Sequence, residues 1–454
     1  MSNRRLWASG LLLAVFVTGC GGSGTGNTGG GNNGGGGSGG GGGNNQPTTV
    51  AITFLPGTPS VVATKIGSGA LSAQTLTSNT LTLSIPQGTT NFAVAFVCTA
   101  TFGTGATQTQ DVEQTLIEST TVDGISQGEV CVAPNLFPGT GSTLPPQSGA
   151  LSYSVDMSAI AAADQLYLAA SNGTDSEETF ESNESGVEIL PAGNDVVDVL
   201  AFQYAGGFGP TVLVAAKQYT NQPVPGSLNG GNTVVLGSAD EVTTEPITYQ
   251  NIPSGFTQIL YASYWPAGNG LGFNLAENPS SFAANYPVVP SSMAHSGDLY
   301  EIDAFANRSN GSTMDSVSVQ TLNSSGPVSI QFPPVWSYSG PAPAGFPTID
   351  FSAFPGFGGT SGVAYSVGLD WGPSASGVSD GYGIEVTANA MNGATSLAAP
   401  DLSGLAGFLK APASGTQVNW GAGIGQGRPS IWVDLPFTQG TLAWASARGS
   451  YTVP

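Results

Sequence analysis

Period-two alternation governs this chain. In NFAVAFVC (91–98), Phe92, Val94, Phe96 and Cys98 fall on one face of an extended strand, and Ala93 and Ala95 on the other. Successive side chains of a strand point to opposite sides, so the pattern predicts a strand with one bulky and one small face. GYGIEVTANA (381–390) sets Tyr382, Ile384 and Val386 against Glu385, Thr387 and Asn389 in the same way. Shorter runs such as TLTLSI, DVVDVLAFQY, TVLVAAKQY, QILYASYW, DLYEIDAFAN, SVSVQTL, GVAYSVGL and SIWVDL recur with Gly, Pro, Asn or Ser between them. Short strands at that spacing predict an all-β chain of tandem antiparallel, immunoglobulin-like β-sandwiches. Helical candidates are few: DMSAIAAADQLYLAA, whose last six residues read equally well as strand, and one turn each in SSFAANY and DLSGLAGFLK.

Proline-rich breaks divide the body. PNLFPGTGSTLPPQSG (134–149) holds four prolines in sixteen residues and reads as a linker. PPVWSYSGPAPAGFP (333–347) is a second break, and Pro253 opens a third. The expected organisation is a sandwich over 47–134, a linker over 135–149, and sandwiches over 150–252, 253–334 and 335–454. Two segments, TYQNIPSGFTQILYASY and TLSIPQGTTNFAVAFVC, both run strand, Pro-x-Gly turn, strand, an echo that turn chemistry alone would generate.

Residues 1–46 have a different character. Arg4 and Arg5 precede an apolar run, Leu11–Val17, too short to span a bilayer. Val17-Thr18-Gly19-Cys20 resembles a bacterial lipobox. The resemblance implies that 1–19 is a cleaved signal peptide, that Cys20 carries lipid, and that the protein is anchored at the bacterial cell surface or outer membrane. Residues 21–46 hold 16 glycines and no charge, and cannot bury enough surface to offset ordering entropy. They are expected to be a disordered tether with a root-mean-square span of roughly 28 Å.

Charge is sparse and one-sided. The chain carries 29 Asp and Glu against 8 Lys and Arg, and no Lys or Arg between Ile66 and Ala216. Such a field repels phosphate backbones, which excludes nucleic acid as a partner and leaves divalent cations or basic proteins as attracted species. Beyond Cys20 only Cys98 and Cys131 remain. An even number of thiols in an oxidising compartment predicts one disulfide between them, with two buried free thiols as the other reading.

A search for chemistry finds little. GVSDG (377–381) matches the G-x-S-x-G pattern, but a nucleophile elbow needs a helix after Ser379 and a later histidine. A strand-like run follows, the single histidine, His295, comes earlier, and SDG reads as a hairpin turn. Lys65, Lys217 and Lys410 lie in no phosphate-binding loop. No cofactor is expected apart from calcium, for which Asp175, Glu177 and Glu178 in DSEETFESNESGVEILPAGNDVVD are the candidate ligands. Calcium takes six to eight oxygens, and the spacing here matches no calcium-loop motif, so a solvated acidic loop is the plainer reading. All tryptophans past the signal lie beyond residue 264, and Trp265, Trp336 and Trp371 have turn-like neighbours suited to stacking on sugar rings. Trp432 and Trp444 sit in alternating runs and read as core.

The lipobox, the Gly/Asn tether, FAVAFVC with GEVCV, and the repeated turns together resemble uncharacterised secreted bacterial lipoproteins built of immunoglobulin-like or fibronectin-III-like sandwiches. The resemblance implies location and architecture and transfers no catalytic residue. The expected function is a non-enzymatic, surface-tethered protein for binding, adhesion or envelope structure, with an envelope glycan or protein as partner. Carbohydrate binding through the C-terminal aromatics is the alternative, and a surface hydrolase with unrecognised carboxylates a distant third.

Overall fold

The computed structural model describes residues 47–56, 58–102, 109–123, 129–131, 147–156, 159, 165–170, 176–179, 185–191, 196–205, 212–223, 226–267, 273–357, 362–372, 378–427 and 440–454. Residues 1–46, where a signal peptide, a lipidated Cys20 and a tether are expected, lie outside them. The described chain is nearly all strand, and its pairing divides it into four modules of one topology.

The first module contains β1 (Thr48–Pro56), β2 (Val61–Ile66), β3 (Ser72–Gln74), β4 (Thr80–Ile85), β5 (Asn91–Phe102), β6 (Thr109–Thr120) and β7 (Glu129–Cys131). Its first strand lies between the fourth, antiparallel, and the seventh, parallel, while the others run β3-β2-β5-β6 in a second sheet. The second module repeats this with β8 (Gln147–Asp156), β9 (Gln165–Ala170), β10 (Ser176–Thr179), β11 (Ser185–Pro191), β12 (Val196–Ala205) and β13 (Val212–Pro223). Its seventh position is split into β14 (Gly226–Ser227) and β15 (Val234–Val235), both parallel to β8. The third comprises β16 (Thr243–Gln250), β17 (Thr257–Trp265), β18 (Phe273–Asn278), β19 (Asn285–Val288), β20 (Leu299–Asn310), β21 (Thr313–Asn323) and β22 (Val328–Gln331), in the same order. The fourth supplies the first six positions as β23 (Thr348–Asp350), β24 (Val363–Trp371), β25 (Val378–Thr387), β26 (Ser396–Ala398), β27 (Gln417–Gln426) and β28 (Gly440–Thr452).

The larger sheets of the four modules join edge to edge into one 16-stranded sheet, in the order second, third, fourth, first. Strands β21 and β28 pair antiparallel from Met314 to Leu322, and β25 runs parallel to β6 from Val378 to Val386. Among the described residues, Val212 and Ala276 bridge β13 to β18.

This pairing corrects several expectations. The third module begins at β16, so the break near Pro253 falls inside it: Pro253 to Gly255 turn β16 into β17, with Gly255 at φ 75°. Gln147–Gly149, expected as linker, belong to β8. The two Pro-x-Gly echoes join non-equivalent strands, β4 to β5 and β16 to β17, so the repeat lies in pairing order and not in those turns. QLYLAA is strand β9, SSFAANY and DLSGLAGFLK form no helix, and one short helix, α1 (Ala388–Met391), follows β25.

Both faces of β5 are buried. Phe92, Val94, Phe96 and Cys98 share a core with Ile52, Phe54, Leu81, Leu83 and Ile85, where Phe96 meets Phe54 edge to face at 5.2 Å. Ala93, Ala95 and Val97 belong to the long core that runs through the third and fourth modules. The segment between β26 and β27 covers that small face. Leu409 N–H donates to Gln114 Oε1 at 2.8 Å, and Gly407, at φ 88°, comes so close that a Cβ would lie 2.4 Å from Val61 Cγ2. Small residues on β5 are what this close approach requires.

Candidate ligand cleft

Where the third module meets the fourth, an open cleft of about 550 Å3 lies between three chain segments. Pro253, Ser254 and Phe256 come from the β16–β17 turn, Val335 and Ser337 from the segment before β23, and Ala353 and Pro355 from the segment after it. Arg308, near the end of β20, supplies the one charge in its lining.

Register explains the arginine's position. Arg308 and Asp315 are directly paired across the β20–β21 hairpin, whose Asn310-Gly311 corner (Gly311 φ 64°) closes the turn. Arg308 Nη2 donates to Asp315 Oδ2 at 2.8 Å and to Ser337 Oγ at 3.3 Å, while Ser337 Oγ donates to Asp315 Oδ2 at 3.0 Å. The guanidinium carbon lies 4.8 Å from the centroid of the Phe256 ring. The Arg308 side chain is 40% exposed and that of Asp315 0%. A buried carboxylate needs a partner, because desolvation of an unpaired charge costs several kcal/mol. Asp315 therefore fixes the arginine from behind, and Phe256 fixes it from below.

The three tryptophans expected to stack on sugars are differently placed. Trp336 is fully buried, sandwiched between Tyr338 at 5.0 Å and Phe351 at 5.1 Å. Its neighbours Val335 and Ser337 line the cleft while its own ring points into the core, as alternation along an extended segment requires. Trp371 is 6% exposed and meets Phe346 edge-on at 6.2 Å. Neither ring presents a face to solvent, so the expectation of glycan stacking fails at both. Trp265 is half-buried, and its indole N–H donates to Glu301 Oε2 at 2.8 Å, with Gln320 Nε2 donating to the other oxygen of that carboxylate. Trp444 is buried, and Trp432 lies outside the described residues.

His295 is exposed in the turn before β20, where its backbone N–H donates to Asp298 Oδ2 at 2.6 Å. Asp298 also accepts from Tyr264 Oη at 2.7 Å and from Ala267 N at 2.8 Å. Burial, and next the bond to Asp298, push the Tyr264 hydroxyl well above its usual pKa. Asp298 is thus the node of a turn, and His295 contributes only backbone to it. Ser379 sits within strand β25, in register with Asp111 of β6, so SDG is strand and not the expected hairpin turn; an elbow geometry is absent there. Asp175 and the side chains of Glu177 and Glu178 lie outside the described residues, although the backbone of the two glutamates forms β10. Among the described residues no cluster of three or more His, Cys, Asp or Glu is placed to hold a metal. Cys98 is buried in the first core, and Cys131 ends β7, which runs beside β1 with Glu129 opposite Phe54, a neighbour of Cys98 in that core.

Sequence reading missed Arg308. The available signal was that it is the one Lys or Arg between Lys217 and Lys410, standing two residues before an Asn-Gly hairpin corner.

No known protein family matches this chain, and no curated protein matches it. Among solved structures, the chicken CNTN1 FN1–FN3 domains align at 9% identity over 74% of this chain and 88% of that one, with a TM-score of 0.13. At that score the likeness carries no argument.

Proposed function

We propose that this is a lipid-anchored, non-enzymatic surface protein for binding, adhesion or envelope structure, in which one stiff β body is held off a bacterial membrane by a slack Gly/Asn tether. The observation that supports it is the continuous 16-stranded sheet, which makes four sandwiches a single scaffold with a preformed cleft at a module junction. Cys20 supplies the anchor, and a Cys98–Cys131 disulfide ties β7 into the first module. Calcium binding at Asp175, Glu177 and Glu178 remains a subsidiary proposal. The carbohydrate-binding alternative retains only Trp265, since the other two rings are covered.

The test is expression of the full chain and its Cys20→Ser variant in a bacterial host. The wild type should enter the detergent phase on Triton X-114 partition and gain the mass of an acylated cysteine, and the variant should remain aqueous. A wild type that stays aqueous would refute anchoring. Thiol titration in denaturant should find no reactive Cys98 or Cys131 until a reductant is added.

A further inference from the structure

We infer that the cleft captures the C-terminal carboxylate of a peptide whose last residues are apolar, with Arg308 as the anion contact. The inference rests on the binding reading above and names the ligand class of that site. Among the described residues only Nη2 of the guanidinium is engaged, by Asp315 and Ser337. A guanidinium carries five N–H donors in a planar fork, so Nε and Nη1 still have donors to give. That fork matches a carboxylate in two-point geometry, and Arg308 is already immobilised against Phe256 and Asp315, so little freedom is lost on engagement.

Charge selects the sign. Arg308 is the one cation in a stretch of nearly two hundred residues of an acidic chain, and its partner Asp315 is fully buried behind it. A cationic ligand would face the guanidinium directly, whereas a carboxylate meets its donors. The walls select the body. Pro253, Val335, Ala353 and Pro355 offer apolar patches to the side chains of a peptide end, within a lining that is otherwise polar and suits its amides, with the hydroxyls of Ser254 and Ser337 beside Arg308. The Phe256 face that could have stacked on a sugar is covered by Arg308. A volume of about 550 Å3 lies within the range of small-ligand sites and accepts the end of a peptide chain.

The experiment titrates the full chain, in detergent, with fluorescein-labelled Ala-Pro-Leu bearing either a free C-terminal carboxylate or an amide, followed by fluorescence polarisation. The acid should bind saturably and the amide at least about tenfold more weakly, the loss expected for one charge-assisted contact. Arg308→Lys keeps the charge but not the fork and should weaken the acid severalfold. Because Arg308→Gln alone would strand Asp315, the Arg308→Gln/Asp315→Asn pair provides the neutral control and should bind acid and amide alike. Equal binding of acid and amide by the wild type, no saturable binding of the acid, or full displacement of the peptide by sodium glucuronate would each overturn the inference. Cys20→Ser should bind the acid as the wild type does, so failure here and failure of anchoring are read separately.

Discussion

The sheet is welded by long ladders at two module junctions and, among the described residues, pinned by one bridge over a shared core at the third. Between the third and fourth modules, β21 and β28 share nine paired residues, and Ala445 and Ala447 lie in one core with Val317 and Val319. Between the fourth and first, β25 and β6 share nine more in parallel. Between the second and third, the described residues give one sheet bridge, backbone bonds from Ala216 N to Asp240 O and from Val242 N to Val214 O, and a shared core in which Phe202 stacks on Phe273 at 5.0 Å and Tyr204 Oη donates to Asn274 O at 2.7 Å. A ladder of backbone bonds fixes register and direction together, whereas a packed core resists separation without setting register residue by residue. The cleft belongs to the welded part, where the segments that line it stay in fixed relation.

The largest expected break in that comparison is Trp444→Ala. The Trp444 ring on β28 lies across Gly423 and Gly425, where a Cβ would approach it to 2.5 and 2.0 Å. Removing it should cost about 3–5 kcal/mol and lower the shared transition of the third and fourth modules in denaturant titration, while leaving the second unmoved. Next in size, Gln203→Met should stabilise the second module alone. Gln203 is fully buried, and among the described residues neither atom of its amide has a hydrogen-bond partner, so the apolar replacement should gain roughly 1–3 kcal/mol, seen as a rise in the melting of that module in calorimetry. Tyr204→Phe removes the hydroxyl half of the pin. It should cost about 1 kcal/mol and increase hydrogen exchange at the β13–β18 bridge without changing β21 or β28.

The smallest effect tests the parallel weld by pH. Burial raises the pKa of Asp380 on β25, and a hydrogen bond from Trp371 pulls it partway back. A raised carboxylate favours the protonated form in the folded state. Its contribution is therefore present in acid, below the unfolded value, and is lost as pH rises through the folded one. Asp380→Asn should flatten that dependence and stabilise the protein at neutral pH by under about 1 kcal/mol, since the site is partly solvated. A variant equally stable at every pH relative to wild type would mean the carboxylate feels no such burial.

Much of the fold was legible in the chain because period two is a local property. Phe92, Val94, Phe96 and Cys98 do share a core, and Tyr382, Ile384 and Val386 do share a face. Alternation also places Trp336 opposite Val335 and Ser337, but it cannot say which side is water. The tryptophan therefore read as a sugar platform and proved to be the filling between Tyr338 and Phe351. Ala93 and Ala95 read as the lesser face of a strand and proved to be a second buried surface, cleared for the segment around Gly407.

The sequence by itself determined the strand content and the acidic, nearly cation-free composition, both of which are set by residue type and neighbouring residues. Tertiary structure alone decided which strand edges meet, that four modules share one sheet, and that Arg308 stands over Phe256 at a cleft whose lining, Pro253 to Pro355, is drawn from separate segments of the chain. Every strand carries the same unpaired N–H and C=O groups on its edge, so nothing local chooses its partner. That choice is made by which faces can be covered once the whole chain has folded.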